Sequence, residues 1–133
     1  MQRYLLDTNI CADLISHPQG QAAKRLFAVG AHLVGINWIV VAEMRFGARK
    51  KNSPVLTERV EALIHEMAWI EMPEHITTHY ADIRWSLTQQ GQLIGQNDLW
   101  LAAHARAQGL TLVTHNHAEF ARVDGLLLQD WLI

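Results

Sequence analysis

Three acidic residues stand where predicted strands meet predicted helices. Asp7 directly follows the hydrophobic run Tyr4–Leu6. Glu43 lies in the first turns of a helix that follows a second predicted strand, and Asp98 lies where another predicted helix begins. Carboxylates brought together repel one another unless they share a cation, and Mg²⁺ and Mn²⁺ prefer oxygen ligands. If these elements form one sheet, the three acids can reach the same edge, so their joint placement predicts a metal site.

Each acid also has an ordinary structural explanation. Asp7 could cap the helix that starts near Asn9, since aspartate is a favoured N-cap residue. Glu43 could be a solvated helix residue, and Asp98 could be a favourable negative charge at a helix N-terminus. The shared location of all three favours the metal site over three separate explanations.

The elements that must position these acids follow from hydrophobic spacing and from turn residues. Strands are predicted at 4–6, 32–36, 68–72, 110–114 and 126–128. Helices are predicted at 10–16, 21–29, 39–51, 56–67, 74–90 and 99–108, with a turn and short helix at 115–120. Strands separated by helices indicate an α/β fold with a parallel sheet and helices on both faces, in which ligands bind beyond the carboxyl ends of the strands.

Composition indicates one well-packed domain in a reducing compartment. The chain has 133 residues, of which 50% are hydrophobic and 18% charged. These values are typical of a globule that folds alone and differ from those of disordered chains. The single cysteine, Cys11, has no partner for an internal disulfide, and no apolar stretch approaches the length of a signal peptide core or a membrane span. We therefore expect a cytoplasmic protein.

Charge gives a more local signal. The formal net charge of -2 argues against a sequence-indifferent nucleic-acid coat, because neutralised phosphates dominate such binding. Positive charge nevertheless clusters at Arg45, Arg49, Lys50 and Lys51. This cluster could be a solvated helix end that faces the C-terminal dipole, or an edge that binds an RNA backbone or a protein partner.

Histidines and aromatic residues offer weaker signals. The letters of His115-Asn116-His117 match the name of the HNH nucleases, but those sites use widely spaced ligands, so the match is coincidental. No histidine pair makes HExxH or joins a cysteine at zinc-ligand spacing. His104 is expected to be a packed core or interface residue. Trp100, two residues after Asp98, could pack in the core, line a dimer interface or stack on an RNA base.

Four groups of residues occur in order along the chain: Leu6-Asp7-Thr8-Asn9; Ala42-Glu43-Met44 followed by Gly47-Ala48; Gly95-Gln96-Asn97-Asp98 with Ala102-Ala103-His104-Ala105; and Val113-Thr114-His115-Asn116 with Glu119-Phe120. Together they resemble the successive motifs of VapC-type PIN domains, and the likeness extends to the closing Asp130-Trp131. The resemblance implies a single PIN domain over residues 1–133 with a three-layer α/β/α fold and a mainly parallel sheet. The implied activity is that of an endoribonuclease.

By this likeness Asp7, Glu43 and Asp98 match the family's metal-binding acids, and Thr8 matches its polar residue beside the first aspartate. Asp7 and Asp98 would hold one Mg²⁺ or Mn²⁺ ion, and Glu43 would bind it directly or through water and orient the attacking hydroxide. One or two ions would suffice without a protein nucleophile, and the products would carry 5′-phosphate and 3′-hydroxyl ends.

The fourth acidic position of the family departs from the pattern in this chain. Asn116 stands where an acid is expected, and Glu119 follows three residues later. Both are carried forward as catalytic candidates. An asparagine at the metal would leave the site with one charge fewer and would hold a second cation less firmly.

The resemblance also implies partners: structured RNA such as tRNA or rRNA as substrate, a small VapB-type antitoxin, and a second copy of the chain in a homodimer. Arg45, Arg49, Lys50 and Trp100 are the candidates for contacts with RNA. Two other functions remain open. One is a catalytically silent binding module that acts with a DNA-binding partner in autoregulation. The other is a phosphatase-like or DNA-directed nuclease on the same carboxylates.

Overall fold

A five-stranded sheet lies at the centre of the structure, a computed structural model that describes residues 1–133. Its strands are β1 (Tyr4–Leu6), β2 (Val34–Ile36), β3 (Ala68–Trp69), β4 (Thr111–Val113) and β5 (Leu127–Gln129). They lie in the order β3-β2-β1-β4-β5, and every neighbouring pair is parallel. The predicted α/β fold is confirmed, and the central place of β1 brings Asp7 to the middle of the carboxyl edge.

Seven α-helices surround the sheet: α1 (Thr8–Ser16), α2 (Gln21–Val29), α3 (Trp38–Lys51), α4 (Pro54–Glu66), α5 (Ile76–Gln89), α6 (Gln96–Gln108) and α7 (His117–Phe120). A 3₁₀ turn at Ala31–Leu33 leads into β2. Three helices begin at a capping side chain: Asp7 caps α1, Asn37 caps α3 and Ser53 caps α4. Each capping oxygen accepts a backbone N–H that would otherwise lack a partner. None of the seven helices has the length and apolar character needed to cross a membrane.

The sheet and helices enclose one hydrophobic core of 31 buried residues. Helix α6 is its most buried helix: Leu99 and the run 101–105 are all shielded from solvent. Trp131 is fully buried and packs with its ring centroid 5.6 Å from that of Tyr4, so the last residues of the chain close the core beside β1. Cys11 is also fully buried, as expected for a small hydrophobic residue.

Close approach of β2 and β3 depends on a glycine. A Cβ atom on Gly35 would lie 2.6 Å from the Ile70 side chain and 2.9 Å from the carbonyl oxygen of Ala68. Real Cβ atoms do not approach other atoms this closely, so only glycine fits between these strands.

Several predicted boundaries are wrong, and each has a physical reason. The strand expected at 68–72 is only Ala68–Trp69, because β2 ends at Ile36, which accepts a last N–H from Ile70. The strand expected at 32–36 begins two residues later, after the 3₁₀ turn. Helix α6 begins at Gln96 and not at 99, so Asp98 lies inside its first turn, where a negative charge is favourable.

Candidate functional site

Asp7 is a buried carboxylate fixed by three elements. It is 5% exposed, and its Oδ1 accepts the backbone N–H of Ile10 at 2.9 Å. Its own N–H donates to the carbonyl oxygen of Val113 at 3.0 Å, which ties it to β4. Asp7 is therefore the N-cap that its sequence context also allowed. Capping is compatible with metal binding, because a carboxylate has about four lone-pair sites on its two oxygens.

Burial is the main cause of a raised pKa at Asp7, and the charge of Glu43 raises it further. Hydrogen bonds from Thr114 and from the Ile10 backbone lower it in part. A buried acid with a like charge nearby is the state expected of a site built for a cation.

Glu43 is held by a hydrogen bond between two helices. The Thr8 hydroxyl donates to Glu43 Oε1 at 2.7 Å, joining the first residue of α1 to the middle of α3. Thr8 lies directly after Asp7, so this short segment supplies one acid of the site and positions a second one, Glu43. The sequence placed Thr8 beside the first aspartate, and the structure adds that it orients Glu43.

The negative charges of the other acids all act on Asp98. It lies half-buried in the first turn of α6, and burial followed by the charges of Glu43, Glu119 and Asp7 raises its pKa to about 6. Every charged group that shifts the pKa of Asp98 or Asp7 is an acid. The structure therefore brings four acidic residues from four different segments within electrostatic reach of one another.

Thr114 is a site residue that the sequence reasoning did not single out. It is fully buried at the end of β4, its hydroxyl accepts the Asn116 N–H at 2.9 Å, and its side chain lowers the pKa of the Asp7 carboxyl. Its position after a hydrophobic strand, like that of Asp7, was the available signal. Asn116 precedes α7 without capping it, and Glu119 within α7 contributes the charge felt by Asp98.

The donor set matches the chemistry of a hard divalent cation, although no three acidic, histidine or cysteine side chains already converge as a coordination shell. The acids offer only oxygen ligands, which Mg²⁺ and Mn²⁺ prefer. They also carry mutual repulsion that no neighbouring lysine or arginine relieves. Asp7, Glu43 and Asp98, with Glu119 nearby, are the residues that could hold such an ion.

The basic cluster of α3 divides between two sides of the helix. Arg45 donates two hydrogen bonds to Glu61 of α4, with Nε 3.0 Å from Oε2 and Nη2 2.9 Å from Oε1. Arg45 and Arg49 line a crevice of about 600 Å³ between α3 and α4, which none of the site acids lines. Lys50 is exposed at the end of α3. Arg45, predicted to contact RNA, is thus already paired with an acid.

Trp100 and His104 both pack within the protein. The Trp100 ring stacks on Tyr80, with centroids 4.0 Å apart and planes at 22°, so one face of the indole is already covered. His104 is fully buried, which confirms its expected core position. Burial lowers the pKa of His104, so the ring is neutral.

A buried chain of hydrogen bonds passes through His104. The Asn37 side-chain amide donates to His104 Nδ1 at 2.9 Å, and His104 Nε2 donates to Gln108 Oε1 at 2.5 Å. Asn37 also caps α3 through its Oδ1, which accepts the Val40 N–H at 3.1 Å. This network joins the start of α3 to the middle of α6.

Known proteins share this fold, and several are similar to this chain in sequence. The PIN domain family matches residues 4–126. The chain is 35% identical over 130 residues to "Ribonuclease VapC2" of Rickettsia felis, covering 96% of this chain and 97% of the relative. It is 33% identical over 132 residues to the "tRNA(fMet)-specific endonuclease VapC" of Shigella flexneri, covering 98% and 99% of the two chains. The chain belongs to the PIN-domain family, among its VapC proteins.

Solved structures of VapC proteins agree with this assignment. The crystal structure of VapBC2 from Rickettsia felis, bound to a DNA fragment of its promoter, matches with a TM-score of 0.88 at 34% identity and covers 96% of this chain and 98% of that one. The DNA-bound VapBC of Salmonella typhimurium matches with a TM-score of 0.87 at 29% identity, covering 98% and 99%. The VapC resemblance in the sequence motifs is thereby confirmed.

Proposed function

We propose that this VapC protein is a metal-dependent endoribonuclease and the toxin component of a type II toxin–antitoxin system. The observation that carries the proposal is the grouping of Asp7, Glu43, Asp98 and Glu119 at the carboxyl edge of the sheet, where burial, followed by the charges of the other three acids, raises the pKa of Asp98 to about 6. Relatives of nearly equal length are named ribonucleases and endonucleases, which supports RNA as the substrate.

Each site residue has a role that follows from its contacts. Asp7 and Asp98 would hold one or two Mg²⁺ or Mn²⁺ ions, which would supply an acidified water and neutralise phosphate charge. Glu43 accepts the proton of the attacking water. The Thr8 hydroxyl, 2.7 Å from Glu43 Oε1, keeps the Glu43 carboxylate in its orientation. Thr114 lowers the pKa of Asp7, and its bond to the Asn116 backbone keeps Asn116 beside the site. Glu119 and Asn116 are the two remaining residues of the proposed site. Water attack leaves 5′-phosphate and 3′-hydroxyl ends.

The proposed substrate is structured RNA such as tRNA or rRNA. The name of the Shigella flexneri relative specifies tRNA(fMet), which makes tRNA the first substrate to test. The proposed protein partner is a VapB-type antitoxin, since the similar solved structures are VapBC complexes. A homodimer is proposed from the family resemblance. A silent binding module is disfavoured, because it has no use for four mutually repelling acids.

Cleavage of total cellular RNA by the purified chain tests this function. Wild-type protein with Mg²⁺ or Mn²⁺ is expected to give discrete fragments, and EDTA is expected to prevent them. Asp7→Asn keeps the shape of the side chain and removes its charge, so it should lower the rate by at least about a hundredfold. Glu61→Gln, which neutralises an acid outside the site, should leave the rate unchanged.

Two results would refute the nuclease. One is the absence of any metal-dependent RNA fragment with correctly folded wild-type protein. The other is cleavage that survives Asp7→Asn, because it would come from a contaminating nuclease. Parallel assays on DNA of the same sequence distinguish an RNA enzyme from a DNA-directed one.

A further inference from the structure

A narrow groove of about 190 Å³ lies between α1 and α3, with α4 at its far side. Thr8 and Glu43 line it, so the groove opens directly onto the acidic site. Most of its other lining residues are small or apolar, including Ala12 and Gly47. The groove is therefore continuous with the acidic site.

The far part of the groove carries a positive charge. Glu43, Gly47 and Lys51 all line it, and their spacing of four residues places them on one face of α3. Eight residues of helix separate Glu43 from Lys51, a rise of about 12 Å. Lys51 has no salt-bridge partner in the structure. The groove thus leads from the acids to an uncompensated cation.

The other cations of α3 lie elsewhere. Arg45 and Arg49 line the crevice on the α4 side, and Arg45 is paired with Glu61. Lys50 lines neither the groove nor that crevice. Among the four basic residues of this cluster, Lys51 alone shares a concave surface with a site acid, Glu43.

We propose that this groove is a substrate subsite, in which Lys51 binds a backbone phosphate of the RNA strand and the open floor at Gly47 accommodates the nucleotide that leads toward the acids. The proposal rests on the proposed function, since it assumes that the cleaved phosphate lies at the acids. A polyanion that leaves the acids along this groove next meets the Lys51 ammonium group. Thr8 and Ser16 line the same path: the Thr8 hydroxyl, whose hydrogen is donated to Glu43, can accept a hydrogen bond from a ribose hydroxyl, and the Ser16 hydroxyl can donate to a phosphate oxygen.

Gly47 provides a way to block the groove without disturbing the fold. A Cβ atom at Gly47 would meet no other atom within 4 Å. The residue lies inside α3 with ordinary helical geometry, so a larger residue with higher helix propensity should not weaken the folded state. Gly47→Leu would project its side chain into the groove.

Binding of unfractionated cellular tRNA in EDTA, where cleavage is prevented, tests the subsite at several salt concentrations. Lys51→Gln should lower the affinity several-fold and make the plot of log affinity against log salt shallower by about 0.7, as expected for one lost contact with a single-strand phosphate. Lys24→Gln, which removes an exposed lysine of α2 outside the groove, is the matched control and should leave the slope unchanged, while Lys51→Arg should restore it. Gly47→Leu should lower the affinity about tenfold with no fall in Tm.

The subsite is refuted if Lys51→Gln and Gly47→Leu bind tRNA as the wild type does. It is also refuted if Lys24→Gln and Lys51→Gln change the slope equally, because Lys51 then contributes only to the general charge of the protein. Weakened binding of a VapB-type protein with unchanged binding of tRNA would refute it too, and would assign the groove to a protein segment. Wild-type cleavage together with normal binding by both groove variants would refute the subsite alone. If both groove variants bind tRNA more weakly than the wild type but the wild type cleaves no RNA, only the proposed nuclease activity is refuted.

Discussion

Helices α3 and α6 contribute to two polar clusters of opposite character. Asn37 of α3 and His104 of α6 form a neutral network with Gln108, in which the polar atoms pair with one another. Six residues away on each helix, Glu43 and Asp98 belong to a group of like charges. Six residues of helix span about 9 Å, so the two clusters are close neighbours on the same scaffold.

The difference separates a structural role from a functional one. The structure contains no buried side-chain nitrogen or oxygen without a hydrogen-bond partner, so the rules of polar burial are obeyed throughout. Unlike the neutral network, the acidic cluster gathers charge of one sign, and burial together with the neighbouring acids raises the pKa of Asp98 to about 6. Like charges held together lower the stability of the fold, and such a cluster is expected where a protein binds a ligand. The neutral network holds the two helices that carry half of the acids.

The largest effect on stability should come from breaking the neutral network. His104→Ala leaves the Asn37 amide and the Gln108 side chain without their partner and opens a cavity in the core. We expect a loss of about 2–4 kcal/mol in the free energy of unfolding, measured by urea denaturation. His115→Ala removes a largely exposed histidine and should cost far less. Equal losses in the two variants would contradict the structural role of His104.

Neutralising the acidic cluster should have the opposite sign. The raised pKa of Asp98 means that its contribution to stability is fully present below pH 3.8 and is lost as the pH rises through about 6. In EDTA at pH 7.5, Asp98→Asn should therefore raise the free energy of unfolding by about 1 kcal/mol, allowing for partial solvent screening, or Tm by about 3–5 °C. The gain should shrink between pH 6 and pH 4.

Asp82→Asn, on the exposed face of α5, is the matched control and should show no such pH-dependent gain. A loss of stability in Asp98→Asn at pH 7.5 would contradict the view that the acids repel one another in the absence of metal.

Titration of His104 in the neutral network should change stability by a smaller amount and over a different pH range. Because the folded-state pKa of His104 lies below 6.5, its neutral form contributes stability that is fully present above pH 6.5 and is lost as the pH falls below that value. His104→Gln removes this titration. The stability difference between wild type and His104→Gln should therefore narrow between pH 7.5 and pH 5, measured by thermal unfolding. A difference that stays constant would mean that His104 titrates normally.

The smallest effect should come from the exposed pair between α3 and α4. Arg45 and Glu61 form two good hydrogen bonds, but both groups are in contact with water, where ion pairs contribute little. Arg45→Gln should leave Tm unchanged and should also leave affinity for tRNA unchanged, because its partner is already a carboxylate. Loss of tRNA affinity in this variant would show that the α4 crevice also binds RNA.

Local pattern was sufficient for much of the fold. The bounds of α2 were predicted without error. The strand-end position of Asp7 was also visible, because a hydrophobic run followed by polar residues marks the end of a buried strand. These features depend on residues that are neighbours in sequence.

Contacts between distant residues could not be predicted in this way. The Thr8–Glu43 bond joins residues 35 positions apart, and the Asn37–His104 bond joins residues 67 positions apart. Neither has a signature in local spacing. The division of the basic cluster between two surfaces likewise depends on how α3 packs between α1 and α4. The start of α6 was placed late because its polar first turn resembles a loop in sequence.

Titration of the metal-free protein with Mn²⁺, followed by calorimetry, tests the central claim that the acids form a cation site. Wild-type protein should bind Mn²⁺, and Asp7→Asn and Asp98→Asn should each weaken that binding at least about tenfold. Thr8→Val should weaken it less, because it only releases Glu43, and Glu61→Gln should bind as the wild type does. Equal Mn²⁺ affinity in wild type and Asp7→Asn, or no binding by any of them, would contradict the account.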